Sequence, residues 1–318
     1  MNSLFLRSLT DMQDKGSLKF YESFSLSRIS TFGIGGRARA FVIPTSIDSL
    51  CKVLMLAEDN KTVGNCSNLL FDDHGSDKTV VSCLRLNAIE LIDEPRNETE
   101  QYLIGLCADR RMIRAECGAM LPRLVSVAAR NSLKGFEGLC SVPATVGGAL
   151  TLNAGAYGCE IADKLLAYEV FSPERGRQLV VADKGLFSYR ASPIPHSAQT
   201  VLCAYFSSET GEIAAITERI ELNKALRRKS QPINERSAGS YFKRPENAGG
   251  KSAGELIDRC GLKGISVGNA AVSEKHANFI INKGGATASD VLTLADKVKR
   301  IVRIQTGIEL IPEVEYVR

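Results

Sequence analysis

Strand-like and helical stretches alternate along this sequence without a fixed repeat, which predicts an α+β fold. Apolar residues follow helical spacing over 47–57, 121–129, 213–220, 253–260 and 291–302. β-Branched and aromatic residues gather between these stretches, most densely over 170–206. Glycines concentrate at 33–36, 135–158 and 239–285, where tight turns or loops approaching a ligand are expected. At 318 residues, 44% hydrophobic and 24% charged, the chain suffices for two or three globular units and is too apolar for disorder.

Residues before about 20 read as a polar leader. Phe41-Val-Ile-Pro44 is a short strand, after which Thr45 or Ser46 caps a helix carrying Ile47, Leu50, Leu54 and Ala57. Val80 to Leu86 follows as another strand. Leu121, Leu124, Val125, Ala128 and Ala129 mark one face of a helix ending near Gly135. From Val170 to Phe206, Pro173, Gly176, Pro193 and Pro195 divide strands with turns. The polar stretch Ser207-Ser-Glu-Thr-Gly211 places a domain boundary near 207–212. Ile213, Ile216 and Ile220 open a helix that runs into Lys224, Arg227, Arg228 and Lys229, cations suited to a negative helix end, before Gln231-Pro232 stops it. Two more helices carry Ala253, Leu256, Ile257 and Cys260 ahead of Gly261, and Val291, Leu294, Ala295, Val298, Ile301 and Val302 ahead of Gly307. In the closing stretch Glu309 to Val317, Glu313 and Glu315 alternate with apolar neighbours and would share one face of a strand.

Forty Lys+Arg against 36 Asp+Glu leave +4, too small an excess to point to nucleic acid or a membrane surface. The longest early apolar run, Val53 to Ala57, falls far short of a membrane span, and no secretory leader is visible, so the chain reads as cytoplasmic. The nine cysteines (51, 66, 83, 107, 117, 140, 159, 203, 260) include no C-x-x-C pair, and His74, His196 and His276 stand far apart. No metal is expected, and the thiols are read as small buried hydrophobes.

Gly33-Ile-Gly35-Gly-Arg-Ala38 satisfies a dinucleotide-binding pattern, but a strand and a proline follow where that motif needs a helix, so it is read as a glycine turn. Val63-Gly-Asn-Cys-Ser-Asn-Leu-Leu70 is a loop of small and polar residues able to wrap a phosphate or simply to turn. Gly138 to Ala149, then Asn153-Ala-Gly-Ala-Tyr-Gly158, give a stronger signal: tiny residues admit a flat or phosphorylated ligand, with Thr145 and Asn153 as donors, or else a glycine-packed helix contact. Ser240, in Ser237-Ala-Gly-Ser-Tyr-Phe-Lys-Arg-Pro245, lacks a nucleophile elbow and an activating histidine, so if it acts it moves a proton.

Taken together, Thr31-Phe-Gly-Ile-Gly-Gly36, Ser67-Asn-Leu-Leu70, Pro143-Ala-Thr-Val-Gly-Gly148, Asn153-Ala-Gly-Ala-Tyr-Gly158, Tyr189-Arg190-Ala-Ser192, Ser237-Ala-Gly-Ser240, Ala253-Gly-Glu-Leu-Ile-Asp258 and Pro312-Glu-Val314 resemble the UDP-N-acetylenolpyruvoylglucosamine reductase (UDP-N-acetylmuramate dehydrogenase) family, in the right order from about residue 21 onward. The resemblance implies an FAD-binding domain of the vanillyl-alcohol-oxidase type over 21–208, in two α+β subdomains of about 21–87 and 88–208. A substrate domain over 209–318 follows, and residues 1–20 form an extension. The short span from Arg190 to Ser240 resembles the second subtype, which lacks a lid insertion. The resemblance further implies that NADPH reduces the flavin and that hydride then passes to the enol ether of the nucleotide-sugar in peptidoglycan precursor synthesis, by an enzyme expected to be a monomer.

By the same resemblance Ser240 is the proton donor, Arg190 steadies the enolic oxygens and Glu313 assists. Cofactor contacts fall to Gly64, Asn65, Cys66, Ser67, Asn68, Leu69, Pro143, Thr145, Val146, Gly147, Gly148, Asn153, Gly155 and Ala156, and substrate contacts to Tyr189, Arg228, Lys243 and Arg244. His276 and Asn278 belong to a shared motif without an assigned step, and a structural role is expected for His276. Where the family has Gly-Gly-Gly this chain has Gly64-Asn65-Cys66, and Ala144 and Asn269 also replace glycines. A positive φ would be tolerable at Asn65 but strained at Cys66 or Ala144. These departures leave a non-catalytic flavin or nucleotide-sugar binding protein as the alternative. A flavin oxidase is disfavoured by the Ser237–Ser240 and Pro312–Val314 matches.

Overall fold

The computed structural model describes residues 3–107, 111–194 and 199–318, so Pro195 and His196 lie outside the described residues. The expected polar leader is instead a helix, α1 (Ser3–Asp14), running into a strand at Leu18–Ser25. Phe5, Leu9 and Met12 form its apolar stripe on the core, with Leu9 fully buried. Polar neighbours mask that stripe in composition.

Ser46 caps α2 (Ile47–Leu56) in a reciprocal box with Ser49, while the Thr45 hydroxyl donates to Ser17 O at 2.8 Å. Asn97 caps α3 (Glu98–Gly105), an element without a strong sequence signal. α4 (Leu121–Arg130) stops before Gly135, because Ser132 takes φ +57° and the Leu133 N–H returns to Ala128 O at 2.9 Å. Thr145 caps the short α5 (Val146–Thr151), and α6 spans Ile213–Ser230 with Arg227, Arg228 and Lys229 in its last turn. α7 (Ala253–Arg259) is followed by Gly261 at φ +68°, and α8 (Ala288–Thr306) ends on Gly307 at φ +72°, as their spacing predicts.

A four-stranded sheet has the order Leu18–Ser25, Arg37–Pro44, Ser76–Ser82, Asn60–Val63. The strand expected over 80–86 therefore starts and ends earlier, and the Leu86 N–H closes a turn on Cys83 O. The five-stranded sheet is antiparallel throughout, in the order Gly176–Val181, Leu165–Ser172, Thr200–Ser207, Met112–Glu116, Ile89–Ile92. A three-stranded antiparallel sheet joins Ser266–Val267, Ala270–Val272 and Ile280–Asn282. Leu69–Phe71 pairs in parallel with Glu315–Val317. Only that last triplet of the 309–317 stretch is laddered as a strand, so Glu313 and Glu315 are not two positions of one regular strand.

Two compact units partition the chain discontinuously: residues 1–21, 41–65 and 80–226, and residues 22–40, 66–79 and 227–318. The Ser207–Gly211 stretch, expected at a boundary, lies inside the first. Its backbone is tied to 132–134, through Lys134 N–H to Glu209 O at 3.2 Å and Gly211 N–H to Ser132 O at 2.7 Å. The first unit centres on Phe136, Phe206, Leu121, Leu124 and Leu202, each fully buried side chain being worth about 1.5–3 kcal/mol. In the second unit α7 and α8 pack together over Phe32, Leu70, Phe242 and Leu310, and Asp73 accepts the first N–H groups of α8 from Ala288 and Ser289.

No helix among the described residues is long and apolar enough to cross a membrane, and no described His/Cys/Asp/Glu group is arranged to hold a metal ion. All nine cysteines are free thiols, seven of them buried. Cys66, Asn153 and Arg190, three residues singled out from the sequence, are held at positive φ (+52°, +42° and +56°). Asn65 and Ala144 are not, so of the three non-glycine residues in question the strain falls on Cys66. Cys66→Gly is therefore expected to be more stable than Cys66→Ala by about 1 kcal/mol, reversing the usual preference for alanine. Paired urea-denaturation curves measure the difference, and an alanine variant equal or superior to glycine would refute the strain.

Candidate active site

In the first unit, the end of the Asn60–Val63 strand and the start of α5 face each other across a cleft of about 80 Å³. Gly64, Thr145, Gly147, Gly148, Cys83 and Cys117 are among its lining residues. A Cβ on Gly147 would stand 3.0 Å from the Cys117 Cβ, and one on Gly64 would overlap the Thr145 hydroxyl. Glycine at these two points lets main chain and hydroxyl groups form the walls. Such a cradle suits a phosphorylated portion of a ligand such as FAD. Contact with Cys83 and burial both push the Cys117 thiol well above its ordinary pKa, so that thiol is uncharged at neutral pH.

Asn65 donates its side-chain amide to Pro143 O at 2.8 Å and ties the two loops of the cleft together. Thr145 is almost fully buried and accepts the Gly148 N–H at 3.4 Å. Val146 is wholly buried, with its N–H on Ala119 O. Gly155 and Ala156 form a small hairpin with Cys159 and Glu160. Asn153 requires a correction: both of its amide donors are engaged inside the protein, on Glu160 Oε2 at 2.7 Å and Ser188 O at 3.1 Å, and its oxygen receives the Ala162 N–H. It braces the loop instead of presenting donors to a ligand.

That brace reaches toward Arg190. Ser188 pairs with Ala191 around a tight turn, and Arg190 sits in it at φ +56° with its guanidinium 5.3 Å from the Tyr189 ring centroid. Tyr189 is about half exposed. Strained backbone held by a fully buried asparagine is the pattern of a residue whose direction matters.

In the second unit, residues 236–242 extend the three-stranded sheet through bridges of Arg236 with Asn282 and Ser240 with Phe279. On their other side lies the chain before Glu315. The Glu313 N–H donates to Tyr241 O at 2.7 Å, the Lys243 N–H to Ile311 O at 2.8 Å, and Phe242 bridges Pro312. Ser240 and Glu313, 73 positions apart in sequence, thus lie on adjacent backbones, both half-buried. Asn68 fixes the Glu313 segment by donating its amide to Glu313 O at 3.0 Å and accepting the Glu315 N–H on its own carbonyl at 3.0 Å. Cys66 O accepts from the Thr31 hydroxyl, and Leu69 opens the strand paired with Glu315. Ser67 is half-buried. Burial pushes the neighbouring Tyr241 phenol up to about 12, which leaves it neutral. Lys243 is half-buried, while Arg228 and Arg244 are exposed, with Lys275 Nζ 2.5 Å from Arg228 O. Sequence reading missed the bracing roles of Asn68 and Asn153, whose partners are remote in the chain.

Residues 38–182 match an FAD binding domain, and residues 231–317 match the C-terminal domain of UDP-N-acetylenolpyruvoylglucosamine reductase. The reductase of Caldicellulosiruptor saccharolyticus is 36% identical over 311 residues, covering 96% of this chain and 94% of its own. That of Caldanaerobacter subterraneus is 35% identical over 322 residues, covering 100% and 99%. The crystal structure of the reductase from Thermus caldophilus superposes with a TM-score of 0.74 at 32% identity, over 95% of this chain and 99% of that one. With relatives this similar along almost their whole length, and a glycine-walled cleft lined mostly by residues of the region matched to an FAD domain, the chain belongs to the UDP-N-acetylenolpyruvoylglucosamine reductase family.

Proposed function

We propose that this protein reduces the enol ether of UDP-N-acetyl-3-O-(1-carboxyvinyl)-glucosamine to UDP-N-acetylmuramate, acting as a cytoplasmic monomer with NADPH as electron source and Arg190, Ser240 and Glu313 as its catalytic residues. Gly64, Gly147 and Gly148 would hold FAD by main chain, with Asn65 fastening the loops beside it. FAD, when bound, supplies the hydride that the enol ether receives.

Hydride addition at the terminal vinyl carbon leaves negative charge on the neighbouring carbon and its carboxylate. Arg190, a permanent cation on a strained turn, would balance that charge through bidentate hydrogen bonds. Ser240 would then deliver a proton to the anionic carbon. A serine hydroxyl is a weak acid, so it protonates only a strongly basic carbon in a place shielded from water. Glu313 would assist the same intermediate, and Tyr189, Arg228, Lys243 and Arg244 would bind the nucleotide-sugar. The single observation carrying the assignment is the Glu313–Tyr241 backbone pairing, which puts the acid and carboxylate candidates on neighbouring backbones.

Two outcomes are expected. The purified protein is yellow, and Gly147→Val, which fills the cradle against Cys117, weakens FAD retention on the order of tenfold or more, as an overpacking cost of about 1–3 kcal/mol implies. Equilibrium dialysis measures this, and unchanged retention would remove the cleft from cofactor binding. Ser240→Ala keeps flavin reduction by NADPH at the parent rate and slows reoxidation by the enolpyruvyl sugar nucleotide by roughly 10²–10⁴-fold in stopped-flow absorbance. Equal reoxidation rates in variant and parent would exclude Ser240 as the acid.

A further inference from the structure

Ser273-Glu-Lys-His-Ala-Asn-Phe279 has no step in the reaction above, yet it borders the Ser240 segment directly. Asn278 is buried, and its carboxamide forms a closed pair with one backbone residue: the Phe242 N–H donates to Asn278 Oδ1 at 3.0 Å, and Asn278 Nδ2 donates to Phe242 O at 2.8 Å. The Asn278 main-chain carbonyl also accepts the Tyr241 N–H at 2.7 Å. A carboxamide here occupies the place of a missing strand, because the strand Ile280–Asn282 begins only after it. The opposite edge of 241–243 is held by Ile311 and Glu313. The two residues that follow Ser240 are therefore clamped from both sides.

Asn278 is itself fixed locally. Its N–H donates to His276 Nδ1 at 3.2 Å, the arrangement an Asn or Asp side chain makes with the amide two residues on. The His276 ring packs edge-on against Phe279 at 4.8 Å, and a Cβ on Gly254 of α7 would come within 3.2 Å of its Cε1. Burial lowers the His276 pKa, which keeps Nδ1 available as an acceptor at neutral pH.

We infer that Asn278 is a positioning residue for proton delivery: its carboxamide clamps Phe242 and thereby sets both Ser240 and the Tyr241–Glu313 pairing, with His276 holding Asn278 in register. This rests on the reading of Ser240 as the acid. Asn278 touches neither substrate nor cofactor in this argument and acts only through the backbone it holds.

The test uses flavin-loaded enzyme and follows the two half-reactions separately by stopped flow. Asn278→Asp keeps the side-chain shape and loses the donor to Phe242 O. It is expected to retain FAD and the parent rate of flavin reduction by NADPH, while reoxidation by the enolpyruvyl sugar nucleotide slows on the order of ten- to a hundredfold. His276→Leu should show the same one-sided loss, and His276→Asn, which restores an acceptor for the same amide, should recover most of the rate. If Asn278→Asp does not fold, the histidine pair decides. Reoxidation at the parent rate in these variants beside a slow Ser240→Ala overturns the inference, as does an equal fall in both half-reactions, which would mark a merely structural role. A Ser240→Ala enzyme that reoxidises normally overturns the reading of Ser240, and the inference with it.

Discussion

The hydrogen bond from the Glu313 amide to the Tyr241 carbonyl joins two parts of the sequence that carry no mutual signal, and the arrangement of the second unit follows from it. It holds 311–313 against 241–243, which in turn extends the sheet ending at Ile280–Asn282. Beyond Glu313 the chain passes Asn68 and pairs with Leu69–Phe71. Buried backbone groups require such partners, since each one left unpaired costs about 1–3 kcal/mol. Where a strand runs out, a side-chain amide completes the ladder: Asn278 at Phe242, and Asn282 at Phe32 O, Gly284 N and Ala286 N.

Helices with local punctuation were legible in the sequence. Ser46 before Ile47, Gly261 after the Ala253–Arg259 helix and Gly307 after Thr306 sit where capping chemistry puts them, because a cap is a contact between residues three or four apart. The strand at Leu69–Phe71 was not legible, since its partner lies 246 positions later. α1 was obscured because Leu9 is its single fully buried apolar side chain. Within the site, loops and candidate residues could be named from motif resemblance, but the inward orientation of Asn153 depends on Glu160 and Ser188, which no local pattern announces.

Asn65 and Cys66 show how the loop after Gly64 accommodates side chains where the sequence resemblance leads one to expect glycines. Asn65 keeps a negative φ and turns its amide onto Pro143 O, converting an added side chain into a cross-loop tie. Cys66 takes the left-handed turn itself and is nearly fully buried. A β-carbon in that conformation costs on the order of 1–2 kcal/mol, an amount the surrounding packing absorbs. The loop path is thus compatible with this sequence, and only its local energy differs from that of a glycine run.

The parallel pairing of Leu69–Phe71 with Glu315–Val317 also governs how the polypeptide can be made. Translation proceeds from the amino terminus, so the first of these segments leaves the ribosome long before its mate exists. Throughout elongation an apolar edge strand lacks its hydrogen-bonding neighbour, and Phe32 and Ile34 wait for the same late arrivals. Completion of that unit therefore waits on residues 315–317, and until they emerge the nascent chain presents chaperones with a vacant β-edge.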